Sequence, residues 1–281
     1  MTTNPYKPYP VTIADIIDET DEKDIKSFIL TFKNPEDERA FAYLPGQFAE
    51  LSLWGYGEAP IGIASSPTEK GFLKFTVKKT GGVVTTALHN LSVGSEIGVR
   101  GPMGNYYPVS DFEGKNIYII GGGFAFTTLR SLLTYMIHPD NRAHYADIIV
   151  VYGARTPGDL IYREEVAEWK KRDDIALHVT IDKLVEGWDG LVGFVPTIAK
   201  QVVTRWDNAV AVVCGPPVMI KFTIPVLLEA GFPPENIYNS LEMRMKCGIG
   251  KCGRCNIGPK YVCKHGPVFT FAELQHLPQE Y

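Results

Sequence analysis

Asn116-Ile-Tyr-Ile-Ile120-Gly121-Gly122-Gly123 runs into Phe124-Ala125-Phe126-Thr127-Thr128, after which Leu129, Leu132, Leu133 and Met136 recur at i, i+3, i+4 and i+7. An apolar run, a glycine turn and a helical period, in that order, predict a buried strand feeding an amphipathic helix. Further strand-like segments follow at 147–152, 175–181, 210–213 and 236–239, with helix-like segments at 163–171 and 219–230. Strands alternating with helices predict a parallel sheet with crossover helices. Upstream, the pattern changes near Gly114. The first ~110 residues hold short strand-like runs, such as 48–53 and 72–78. Turn signals separate them at Pro45-Gly46, Thr80-Gly81-Gly82 and Gly101-Pro102. Short strands at this spacing predict a small antiparallel barrel.

The chain has 281 residues, of which 45% are hydrophobic and 21% charged, with a formal net charge of -4. That length suggests about two domains with an appendage and is enough to bury a core without staples. The longest apolar stretch, 117–126, is broken by three glycines and falls short of the ~20 residues of a membrane span. The N-terminal stretch 1–10 is polar and proline-broken, unlike a secretory signal. Mild acidity leaves no footprint for nucleic acid. These features lead us to expect a cytoplasmic protein.

Five cysteines are present, and Cys247, Cys252, Cys255 and Cys263 fall within seventeen residues. The spacing is C-x4-C-x2-C-x7-C, and its first two gaps match a plant-type [2Fe–2S] loop. Four thiolates must converge from one loop. Gly248, Gly250 and Gly253 let the backbone curl and leave its amides free to bond sulfur. A structural zinc site with four cysteine ligands is the alternative, although zinc usually uses two C-x2–4-C knuckles. From spacing alone both stay open. The tail 241–281 is too short for an apolar core of its own.

Gly121, Gly122 and Gly123 lie where a helix N-terminus attracts phosphate and a dinucleotide can approach the backbone. A plain tight turn is the competing reading. Cys214-Gly215-Pro216-Pro217 stands at the carboxyl end of another predicted strand, where ligands also bind. Alternatively, Cys214 is a small buried apolar residue. In the barrel, Thr85 has a hydroxyl to bond phosphate and Lys79 a charge to neutralise it, unless the 78–86 segment is only a solvated loop.

Taken together, these segments resemble the ferredoxin–NADP reductase superfamily over almost the whole chain. Pro45-Gly46-Gln47-Phe48, a flavin segment, the Gly101–Gly104 turn, the glycine turn and Cys-Gly-Pro-Pro come in the same order. The tail from Glu242 to Cys255, with Tyr261-Val-Cys263-Lys-His-Gly-Pro-Val-Phe269, is similar to the branch carrying a C-terminal [2Fe–2S] module. That branch includes the dihydroorotate dehydrogenase electron-transfer subunit, the anaerobic sulfite reductase B subunit and the nickel–iron hydrogenase gamma subunit. Glu58-Ala59-Pro60-Ile61 and Tyr152-Gly-Ala-Arg155-Thr156-Pro are similar as well.

The resemblance implies a β plus α/β architecture. An antiparallel FAD-binding barrel (1–112) comes first, then a parallel NAD(P)-binding sheet with crossover helices (113–240), then a [2Fe–2S] lobe (241–281). It implies FAD along Pro60, Ile61, Gly62 and Ile63, along Val77, Lys78 and Lys79, and at Val84 and Thr85. NAD(P)H would lie over Gly121–Gly123, Arg155, Thr156, Cys214, Gly215 and Pro216, and the cluster on the four tail cysteines. Two motifs depart from the pattern. The Arg-x-Tyr-Ser flavin signature reads Ala59-Pro60-Ile61-Gly62. The Gly-Gly-Gly-x-Gly-x-x-Pro turn has Ala125 at its fourth glycine position and ends on Thr128, and Phe124 and Phe126 are expected to crowd the phosphate approach.

The implied function is electron transfer between NAD(P)H and a partner redox subunit, through FAD and the cluster. Flavin chemistry reconciles two-electron hydride transfer with one-electron acceptance. Hydride is expected to pass in the cleft between barrel and sheet without a side-chain acid or base, Cys214 lining the nicotinamide position. The partner would be another redox subunit of a sulfite reductase, hydrogenase or heterodisulfide-reductase-like complex. Alternatives are a self-sufficient NAD(P)H:ferredoxin-type reductase and a non-catalytic flavin- or metal-binding regulator. Asp182 suits a ribose hydroxyl, whereas Arg155 suits a 2′-phosphate.

Overall fold

The computed structural model describes residues 4–278, so the first three residues of the 1–10 stretch and the last three of the tail lie outside it. Six antiparallel strands build the first unit: β1 (Tyr9–Asp18), β2 (Ile25–Phe32), β3 (Phe48–Leu53), β4 (Gly57–Gly62), β5 (Leu73–Lys78) and β6 (Glu96–Met103). Their order is β4-β3-β6-β1-β2-β5. A bridge between Ile63, just past β4, and Phe75 of β5 joins the two edges, and closure removes the exposed edges of an open sheet. Val11, Phe28, Leu30, Leu51, Phe75 and Val99 fill the interior. After α1 (Pro35–Ala40), α2 (Val83–His89) caps the barrel with Val84 and Leu88.

The second unit opens with β7 (Asn116–Gly122) and α3 (Phe126–Met136), the strand–turn–helix expected from the sequence. The short α4 (Pro139–Arg142) precedes β8 (Ile148–Ala154), and α5 (Arg163–Trp169) leads to β9 (Ala176–Ile181) and β10 (Leu191–Val192). Then come α6 (Val195–Val202), β11 (Ala209–Cys214), α7 (Pro217–Glu229) and β12 (Ile237–Ser240). The strands order as β10-β9-β8-β7-β11-β12, all parallel, with one apolar cluster on each face.

The tail carries the hairpin strands β13 (Asn256–Ile257) and β14 (Lys260–Tyr261), then α8 (Val262–His265), β15 (Val268–Thr270) and α9 (Phe271–Leu274). Strand β15 pairs antiparallel with β12 and extends the large sheet to seven strands. The tail's apolar cluster of Cys255, Ile257, Val262, Cys263 and Phe269 is completed by Phe48 and Met103 of the barrel. The expected deficit of apolar side chains is met by borrowing them.

Candidate functional site

Parallel pairing places the predicted nucleotide residues side by side. Gly121 is in register with Cys214 on one flank and with Tyr152 on the other, all at the carboxyl edge of the sheet. The turn glycines serve different needs. A β-carbon at Gly121 would lie 2.5 Å from Phe126, and one at Gly122 would lie 2.5 Å from the Met219 sulfur. Gly215 is blocked by the same methionine. Gly123 alone of these four faces open space, at φ +57°, a conformation that favours glycine. Phe126 does not crowd the cleft as expected: it is fully buried and stacks on Tyr152 at 4.0 Å. Phe124 is half-buried against the core. Arg155 and Thr156 emerge at the end of β8, exposed and tied to Asp159 at 3.8 and 2.9 Å.

Beneath the glycine turn, Cys214 sits in a small polar group whose other members, Thr128, Ser240 and Tyr107, the sequence reading gave no role. The Thr128 hydroxyl is shared between the Ala125 carbonyl at 3.2 Å and the Cys214 sulfur at 3.5 Å. Cys214 in turn faces the Ser240 carbonyl at 3.6 Å. Burial pushes the Cys214 thiol up to about 12, so it stays protonated at neutral pH. The hydroxyl of Tyr107 is fully buried beside Thr128, Cys214 and Ser240, without a hydrogen-bond partner among the described residues.

The barrel supplies the facing wall. Pro60, Ile61 and Gly62 pair with Glu50, Ala49 and Phe48 of β3, and Gly62 touches the Thr128 methyl across the domain boundary. Not every predicted flavin residue offers a side chain there. Ile63, Val77 and Val84 are built into the barrel core. Lys78 pairs with Asp24 at 3.5 Å, the Lys79 amide donates to the Asp24 carbonyl, and Thr85 bonds the Gly82 carbonyl of its own turn. Contacts from these positions must come largely from backbone. The first turn of α2 has no side-chain cap, which leaves amides for an anion. Exposed Trp54, Tyr56 and Val83 flank it, apolar surface that a bound cofactor would cover.

The tail cysteines lie on a loop packed against β3 and β6. The amides of Lys251 and Cys252 donate to the Cys247 sulfur at 3.3 and 3.4 Å, and the Gly250 amide donates to the Cys263 sulfur at 3.2 Å. Burial raises the Cys247 thiol, but amides of Ile249, Cys252 and Lys251 outweigh it and hold it near 6. Cys263, buried against Cys255, is pushed up to about 12. Cys252 neighbours Cys247 and Cys255 neighbours Cys263, so the sulfurs stand as two pairs, and among the described residues no three metal-ligating side chains are gathered closely enough to hold an ion as placed. Amides aimed at sulfur from a glycine-rich loop suit a thiolate-bound cluster, whose sulfurs accept such bonds. The loop seats on the barrel, with Gly248 pressed against Met103. Asn105 clamps the lobe, donating to the carbonyls of His265 and Val268 at 3.0 and 2.6 Å and accepting from the Val268 amide at 2.9 Å.

Comparison with known proteins agrees with this geometry. The oxidoreductase FAD-binding domain matches residues 18–107 and the oxidoreductase NAD-binding domain 119–224. The iron–sulfur cluster binding domain of dihydroorotate dehydrogenase B matches 242–275. Sulfhydrogenase 1 subunit gamma of Pyrococcus furiosus is 39% identical, covering 98% of this chain and 94% of its own. A probable dihydroorotate dehydrogenase B (NAD(+)) electron transfer subunit of Methanocaldococcus jannaschii is 30% identical, covering 96% and 93%. The structure of an NADH-dependent reduced ferredoxin–NADP oxidoreductase, studied for flavin-based electron bifurcation, superposes with a TM-score of 0.73 at 27% identity. It covers 99% of this chain and 91% of that one. This chain is therefore an oxidoreductase subunit of the ferredoxin–NADP reductase superfamily, belonging to the branch of electron-transfer subunits with FAD-binding, NAD-binding and C-terminal iron–sulfur domains.

Proposed function

We propose that this chain is the nicotinamide-oxidising or nicotinamide-reducing subunit of a hydrogenase-type complex, connecting NAD(P)H to a second redox subunit. Identities of 39% and 37% to the two sulfhydrogenase gamma subunits of P. furiosus support that choice of complex over the sulfite reductase and heterodisulfide-reductase readings. When bound, FAD would supply the two-electron to one-electron conversion that links hydride transfer to an iron–sulfur cluster. The observation that carries the reading is the seating of the cysteine loop on β3 and β6, directly behind the strand that bears Pro60–Gly62.

The chain's own residues divide the work. Pro60, Ile61, Gly62 and Ile63, with backbone from Val77–Lys79 and Val84–Thr85, would hold the flavin in the barrel mouth. Gly123, Arg155, Thr156 and Cys214–Pro216 would receive the nucleotide, with Gly121 and Gly122 keeping strand and helix close. Cys214, buried and protonated, orients rather than donates. Cys247, Cys252, Cys255 and Cys263 would hold the cluster. Domain divisions near 112 and 240 accommodate these roles.

Cys252 is the exposed member of the set, and Arg244, Lys246, Lys251, Arg254 and Lys264 of the same segment are exposed as well. No acidic residue stands between Glu242 and Glu273. In an acidic chain this is a local positive surface, suited to an acidic face on the partner subunit. Among the described residues no helix is long and apolar enough to cross a membrane. We place the protein in the cytoplasm, where unpaired thiols persist; none of its five cysteines is in a disulfide.

The test is an anaerobic titration of the purified chain with NADH and, separately, NADPH, following flavin and cluster absorbance together. Bleaching of both by one nucleotide supports the path and identifies the nucleotide. Bound flavin and cluster that neither nucleotide reduces would remove nicotinamide from the scheme.

A further inference from the structure

Arg100 of β6 joins the barrel to the cysteine loop. Its guanidinium is 4% exposed and forks onto Glu58 of β4, with Nη2 to Oε2 at 2.6 Å and Nε to both carboxylate oxygens at 3.1 Å. The remaining arm, Nη1, donates to the backbone carbonyl of Cys247 at 3.1 Å and to that of Pro5 at 3.2 Å. Strand register explains the reach. Glu50 of β3 lies between Arg100 on one side and Pro60 on the other. One side chain thus spans from the strand carrying the flavin segment to the first cysteine of the loop.

Other charged groups near this point are few. Glu50 is fully buried, with neither oxygen hydrogen-bonded among the described residues, and Lys246 lies beside it. A β-carbon on Gly248 would sit 3.4 Å from Glu50 Oε1. In so dry a place a unit charge acts at short range with little screening.

We propose that Arg100 is a positioning residue that fixes the Cys247 end of the loop and, with Glu58, sets how readily a cluster held there takes an electron. The inference rests on the iron–sulfur reading of the four cysteines. An electron arriving on a four-thiolate centre adds one negative charge. A fixed cation bonded to a ligand's carbonyl favours that reduced form, and the Glu58 carboxylate opposes it. Arginine suits the position because it holds the carboxylate through a fork and still has an arm for the carbonyl; lysine offers a single point charge.

The opposed signs make the test specific. Whole purified chains carrying R100Q, R100K and E58Q are compared with the parent by iron and acid-labile sulfide content. A potentiometric titration monitored by electron paramagnetic resonance then gives the reduced fraction at each poise. For R100Q the reduced-to-oxidised ratio at fixed poise should fall about tenfold, which is 59 mV for a one-electron couple. The ratio should rise for E58Q, and R100K should stay nearer the parent. Full iron and sulfide, with R100Q and E58Q unshifted or shifted in the same direction, would overturn the proposal. If R100Q fails to fold or loses iron, E58Q and R100K decide by the same signs. A parent chain without iron and sulfide would instead overturn the cluster reading itself.

Discussion

The methyl of Thr128 rests on the α-carbon face of Gly62, so a β-carbon at Gly62 would stand 2.9 Å from it. Gly62 closes β4 and Thr128 stands in the first turn of α3 behind the glycine turn, so this one contact joins the barrel to the sheet. The same threonine turns its hydroxyl to the Cys214 sulfur. Gly62→Ala should therefore overpack the boundary, at a cost of ~1–3 kcal/mol. Thr128→Ser removes the offending methyl and keeps the hydroxyl, so the double variant should recover most of the loss. Denaturant midpoints of the four proteins measure the coupling. Additive effects would mean that the two residues do not bear on one another.

Asn105 presents a second point of attachment, between the barrel and the lobe. Its amide group bonds His265 and Val268 through three backbone groups, and Asn105→Ala would leave these without that partner. Each unsatisfied buried group costs ~1–3 kcal/mol, and the cost falls on the lobe alone. Amide hydrogen exchange over residues 262–270 should accelerate in the variant, with exchange over β7 and β8 unchanged. Uniform acceleration would show a global effect instead.

Cys252 lies at the surface while Cys255 and Cys263 are buried, so Cys252→Ser is the ligand change least disruptive to packing. It should abolish cluster reduction and leave flavin reduction by NAD(P)H within about twofold of the parent. Absorbance changes on anaerobic addition of the nucleotide separate the two signals. A variant whose cluster reduces as the parent's does would remove Cys252 from the ligand set.

Much of the large sheet was legible because its central strands β7, β8 and β11 are buried on both faces and read as nearly continuous apolar runs, as in Asn116–Ile120 and Val210–Val213. The barrel was harder to delimit. Strand β1 changes register between Ile13 and Asp15, which interrupts its alternation, and β4 is Gly-Glu-Ala-Pro-Ile-Gly, poor in strand-forming side chains. Its position comes from pairing with β3, a long-range effect. Strand β15 is three residues long and exists through its partner β12. The cysteine loop was legible through spacing, because its chemistry is local. Thr128, Tyr107, Asn105 and Arg100 gave no signal, since each acts on a segment distant in the chain. Arg100 and Asn105 lie near a recognisable turn, Gly101–Gly104, and Thr128 ends the glycine turn, but nothing in either turn reveals the distant segment that each residue meets.

The barrel and the sheet are also held together by a buried ionic latch whose pH response can be worked out. Arg130 of α3, 4% exposed, bonds both oxygens of Glu69 at 2.9 Å and the Ala64 carbonyl at 2.7 Å. It also reaches Glu165, which in turn holds Lys74. Burial raises the Glu69 carboxyl, but hydrogen bonds and charge from Arg130 outweigh it and leave the group below its ordinary value. A carboxylate depressed on folding contributes stability that is complete above its unfolded pKa, about 4.3. That contribution is lost as pH falls through the lower folded value. Acid should therefore weaken the barrel–sheet contact below about pH 4.3. Glu69→Gln should lower stability at pH 7 by ~3–5 kcal/mol, because Arg130 would be left buried and underpaired. The same change should flatten the stability curve between pH 5 and 3, to the order of the lost linkage. Urea unfolding of parent and variant at several pH values provides both readings. Parallel curves for the two proteins would show that Glu69 carries none of the acid sensitivity.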